Sequence, residues 1–97
     1  MVLEIATFDI QAEHEDAFAA AYGEARGIIS VAPGFQSARM TRGVESPSRF
    51  VLLVEWDSID AHEDFRASDR FPQWRGLIGP HFAAPPAVEH YEDIDGG

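Results

Sequence analysis

RFVLLVEW, residues 49–56, carries two apolar patterns at once. Phe50, Leu52, Val54 and Trp56 fall on one side of an extended chain, and Val51 and Leu53 on the other, because successive side chains of a strand point to opposite faces. A strand that is apolar on both faces belongs inside a sheet and needs cover on both sides. Immediately upstream, FQSARMTRG (35–43) reads as its partner. Val44-Glu45-Ser46-Pro47-Ser48 joins the two with the length and turn chemistry of an antiparallel hairpin connection.

Working outward, Val2 to Phe8 is dense in β-branched and aromatic residues and reads as another strand, with Glu4 marking an edge or a polar face. Residues 12–32 change to helical spacing, with Phe18, Ala21, Tyr22, Ala25, Ile28 and Ile29 forming one stripe and Pro33-Gly34 stopping the helix. Glu13, Glu15 and Asp16 lie at the end where the helix dipole favours acids. Downstream, Asp57-Ser58 offers an N-cap to a helix whose Ile59, His62 and Phe65 share one side as far as about Arg70. Pro72 breaks that pattern, and Gln73 to Ile78 makes a further helical turn before Gly79-Pro80. A last strand runs from Ala87 to about Glu92, and the acidic tail, residues 93–97, is expected to fray. The predicted order is strand, helix, strand, strand, helix, strand over one domain spanning residues 1–97, an α+β ferredoxin-like arrangement.

A chain of 97 residues holds one core and buries a modest share of its surface, about 60 to 65%, so self-association is one way to gain buried area. Two helices cover one face of the sheet, so the second apolar face of residues 49–56 predicts a homodimer. Seventeen acidic residues against seven arginines, with no lysine, give a formal charge of −10, which argues against nucleic acid and anionic membranes as partners. The absence of cysteine removes disulfides, thiolate zinc sites and cysteine nucleophiles. No apolar run approaches a membrane span and the N-terminus lacks a leader pattern, so the expected location is the cytoplasm. Neither a Gly-x-Ser-x-Gly nucleophile context nor a Gly-rich phosphate loop occurs.

Pro33-Gly34-Phe35, the Leu52 to Trp56 run, Ala61-His62, Phe71 with Trp74, and Gly79-Pro80-His81-Phe82, taken together, resemble antibiotic biosynthesis monooxygenase domains along nearly the whole chain. The resemblance implies a dimeric α+β barrel with one pocket per subunit, between the helices and the sheet. It also implies a function that some members have, oxygenation of phenolic polyketides to quinones without metal or flavin. Haem-degrading members of the superfamily use an asparagine on the first strand, and a tryptophan and an axial histidine on the second helical segment. This chain has no asparagine, and Phe65 and Arg75 fall at the other two positions. No cofactor is expected.

His62 is the candidate base: its spacing turns it toward the sheet, and a neutral imidazole there can take a phenol proton. The structural alternative is a histidine bonded to a strand or to a carboxylate such as Asp60, fastening helix to sheet. Trp74 and Tyr22 are candidates for positioning the substrate. Phe18, Trp56, Phe65, His81 and Phe82 are candidates for lining a pocket for a flat aromatic ligand, although Trp56 also reads as core. His14, His62, His81 and His90 lack the paired spacing of metal motifs, so no metal site is expected. The competing function is a small-molecule-binding or accessory dimer without turnover.

Overall fold

The computed structural model describes residues 1–95 and contains one four-stranded antiparallel sheet. Strand β1 (Val2–Asp9) is followed by helix α1 (Glu15–Ile29), strands β2 (Phe35–Arg42) and β3 (Arg49–Trp56), helices α2 (Ile59–Arg66) and α3 (Arg70–Ile78), and strand β4 (Ala87–Tyr91). A 3₁₀ turn (Gly79–His81) links α3 to the segment leading into β4. The spatial order is β2-β3-β1-β4, so the chain returns to pair its last strand with its first. This is the ferredoxin-like α+β arrangement with its second helical segment split in two. Of the expected tail, residues 93–95 form neither helix nor strand, and residues 96–97 lie outside the described residues.

The register explains the core. Ala6 opposes Leu52, Glu4 opposes Val54 and Val2 opposes Trp56, so one face of the two central strands meets the helices. Phe50, Leu52, Val54 and Trp56 are buried on that face against Phe18, Ala25, Ile29, Phe65, Trp74 and Ile78. On the far face Leu3, Ile5, Val51 and Leu53 are half-buried, with no helix over them. Residues 49–56 are therefore central and apolar on both sides, as their alternation predicts.

Four local expectations are corrected. β1 is a central strand, and Glu4 lies on its core face at 5% exposure, so the carboxylate marks a buried polar position rather than an edge. The break in the second helical segment comes at Ala67–Asp69, before Pro72. There the Ser68 hydroxyl donates to the Phe65 carbonyl (2.7 Å) and accepts from the Arg70 amide (3.3 Å), a local alternative to the helical ladder. Pro72 sits in the first turn of α3, where its missing N–H leaves no helical bond unmade. Ile59 is 48% exposed, so the buried side of α2 consists of His62 and Phe65. Helix α1 is also shorter than the predicted span of residues 12–32: Glu13, at φ 71°, turns the chain at His14, and the helix ends at Ile29.

Candidate functional site

A cavity of about 330 Å³ opens between the sheet and helices α2 and α3. Its size suits a small organic ligand. Ala6, Phe8 and Leu52 contribute from the sheet, and Phe65, Phe71, Trp74 and Ile78 from the helices. Its charged and titratable lining groups are Glu4, His62, Arg66 and Arg75.

The position of His62 follows from the loop before β2. Gly34 adopts φ 84°, and its Cα approaches so near to α2 that an added Cβ would stand 2.5 Å from that of Ala61. The Asp57 amide donates to the Gly34 carbonyl (2.8 Å), and the Ser58 hydroxyl accepts from the Ala61 amide (3.2 Å), which starts α2 on top of that loop. One residue further on, the His62 ring stacks on Trp56, centroids 5.3 Å apart and planes 19° from parallel.

Three titratable groups then stand in a row. The Trp56 indole N–H donates to Glu4 Oε1 (2.9 Å), His62 Nε2 lies 3.4 Å from the same oxygen, and His62 Nδ1 shares a 2.7 Å hydrogen bond with Nε2 of His90 on β4. Burial raises the Glu4 carboxyl above its ordinary range, against the Trp56 hydrogen bond and the charge of Arg66. Burial, followed by the charges of His90 and Arg66, lowers His62 from 6.5 to about 4, so its imidazole is neutral at physiological pH. Among the described residues no group of three or more His, Asp or Glu side chains is arranged to hold a metal ion. Here the two nitrogens of His62 face different neighbours, so the row is linear rather than convergent.

Of the sequence candidates, His62, Phe65 and Trp74 line this cavity together. Trp56 lies behind it at 0% exposure, holding Glu4 and His62 in place. Phe18 is fully buried in the core against Phe8 and Phe50. Phe82 stacks on Phe8. His81 shares a 3.1 Å hydrogen bond with His14, away from the cavity lining. Tyr22 packs edge-on against Trp74 but faces a separate cleft with Met40 and Phe50. Its hydroxyl is buried with no hydrogen-bond partner among the described residues. The carboxylate beside His62 is Glu4, not Asp60. Sequence reasoning missed Glu4, Arg66, Phe71 and Arg75 as lining residues. The available signal was Glu4 itself, a carboxylate in phase with Val2, Ala6 and Phe8.

The comparisons agree with this architecture. A candidate antibiotic biosynthesis monooxygenase from Bordetella bronchiseptica superposes with a TM-score of 0.93 at 37% identity, covering 96% of each chain. A mutant of SnoaB, described as a cofactor-independent oxygenase from Streptomyces nogalater, shares the fold at a TM-score of 0.82 and 14% identity, over 96% of this chain and 92% of that one. The Bacillus subtilis protein YczJ, described as uncharacterised, is 33% identical over 97% of this chain and all of its own. The model of the antibiotic biosynthesis monooxygenase family matches residues 1–77, which include β1 and all three helices except the last residue of α3, and the chain belongs to that family.

Proposed function

We propose that the cavity binds a flat phenol- or anthrone-type aromatic and oxygenates it with dioxygen to a quinone, without a cofactor. The observation that carries this reading is the buried Glu4–His62 pair in the cavity wall, with half-buried His90 bonded to His62 from behind. The short bond to His90 occupies Nδ1 of His62, while Nε2 has only the longer approach to Glu4 and is the atom suited to exchange a proton with a ligand. The neutral imidazole accepts the acidic proton of the substrate. The Trp56 ring stacked on His62 then stabilises the imidazolium. The substrate anion gives one electron to dioxygen, the resulting radical pair joins as a peroxide, and the imidazolium proton passes to its outer oxygen. Removal of the remaining C–H proton by His62 then forms the carbonyl as the O–O bond breaks, and hydroxide takes that proton and leaves as water. A methylene carbon and one O₂ thus become a carbonyl and one water. Trp74 and Phe65 hold the ring, and Tyr22 supports Trp74 from behind. We also propose that the working unit is a homodimer closed through the far face of the sheet, where Leu3, Ile5, Val51 and Leu53 await cover.

The test is dioxygen uptake with a panel of naphthols and anthrones. Uptake with quinone formation is expected. His62→Ala should lower turnover by roughly a hundred-fold to ten-thousand-fold if the imidazole is the base. A fastening histidine would instead cost about 1–3 kcal/mol of stability with near-normal turnover. Binding of these aromatics without any uptake would overturn the oxygenase reading in favour of a ligand-binding dimer.

A further inference from the structure

The cavity has a charge pattern opposite to that of the whole chain. With a formal charge of −10 the protein is strongly acidic, yet the exposed charged residues among the cavity's lining groups are both arginines, Arg66 and Arg75. The only acid in the lining is Glu4, which is buried and pushed toward its neutral form. Arg66 holds Glu63 loosely, at 3.5 Å, with both side chains about half exposed, an arrangement that contributes little in water. Its charge nevertheless reaches inward, acting on both Glu4 and His62. Arg75 enters no ion pair among the described residues. Its guanidinium instead lies over the rings of Phe71 (6.0 Å) and Phe82 (5.4 Å), which lay the side chain along aromatic surface. The interior is mainly apolar and aromatic, so the cavity pairs a slot for a ring with two exposed guanidiniums in its lining.

We propose that the ligand is an aromatic acid, whose ring enters between Phe65, Phe71 and Trp74 and whose carboxylate is held at the rim by Arg66 and Arg75. Arg66 is partly matched by Glu63, so the rim falls short of two net positive charges, which suits a carboxylate better than a dianionic phosphate. Guanidinium groups are well matched to carboxylate by their planar donor fork. This inference rests on the reading of the cavity as the substrate site and names the class of substrate within it.

The experiment compares naphthol with hydroxynaphthoic acid, which differ by one carboxylate, through quenching of tryptophan fluorescence in nitrogen-purged buffer. The acid should bind roughly tenfold or more tightly at low salt. That advantage should shrink as salt is added, because the arginines are exposed. Arg75→Gln should remove most of it and Arg66→Gln/Arg75→Gln all of it, with a far smaller change in naphthol affinity. Equal binding of the two probes, or an advantage that survives in the double variant, would overturn the clamp and leave the oxygenase reading intact. An acid that binds with the expected preference but consumes no dioxygen in air would sink the oxygenase reading alone. If neither probe binds the folded protein, both fall.

Discussion

Glu4 and His62 are costly residues to bury, and their titration should be visible in stability. The folded-state value of His62 is depressed, so the unfolded chain takes up its proton first, and stability falls as pH drops from about 6.5 toward 4. Full expression of that shift is worth about 3 kcal/mol. Glu4 has the opposite sign: its folded value is raised, so its contribution is complete below the ordinary carboxylate range and is lost as pH rises through the raised value. Urea unfolding across pH should therefore show an acid slope that His62→Gln flattens. It should also show an opposing slope that Glu4→Gln flattens, because a glutamine carbonyl still accepts from Trp56 and cannot ionise. An unchanged acid slope in His62→Gln would place the titrating group elsewhere. These residues differ in how far they could be read from the sequence. The inward turn of His62 follows from its spacing, but its partners Glu4 and His90 lie 58 and 28 positions away along the numbering, and no local pattern joins them.

At the scale of elements, the contact between the Gly34 loop and α2 determines where the site stands. Pro33-Gly34 was legible as a helix stop, since those residues end helices by their own backbone limits. That Gly34 also seats Ala61, and hence His62, became visible only when α2 was in place. Gly34→Ala combines a left-handed backbone, worth about 1–2 kcal/mol for a residue with a Cβ, with overlap on Ala61. Its melting temperature should fall by about 5 °C or more, and adding Ala61→Gly should recover the overlap but not the backbone part. Full recovery in the double variant, or no loss in the single one, would contradict this account. The same limit applies to Pro72. A proline that breaks a helix and one that begins the next look alike in sequence, and the turn held by the Ser68 hydroxyl, between the Phe65 carbonyl and the Arg70 amide, puts the break before Pro72. The bulge at Phe35–Ser37, which brings Ala38 and Met40 onto the core side of β2, likewise leaves no signal in the alternation.

For the whole molecule, the uncovered sheet face is the largest unmet demand. Light scattering at micromolar concentration should find a dimer whose mass is insensitive to salt, since apolar burial rather than ion pairing would hold it. Leu53→Arg, on the far face of a central strand, should shift it to monomer without unfolding the helix side. A wild-type monomer would overturn the proposed assembly. No helix among the described residues is long and apolar enough to cross a membrane, consistent with the mixed polar and apolar spacing along the chain.

Residue spacing alone was enough to read the strand and helix periods, the two-sided apolar character of residues 49–56, the α+β order and the inward direction of His62. Each of these depends on residues a few positions apart, where backbone geometry alone dictates which side chains share a face. Spacing did not reveal that β1 is central, that Glu4 is buried beneath Trp56, or that the four histidines meet as His62–His90 and His14–His81; the folded arrangement shows all three. Those relations arise from strand pairing across the sheet and from helices laid over it. Burial then sets the charge states: the same carboxyl and imidazole that would titrate normally in water are both driven toward neutrality by the core around them.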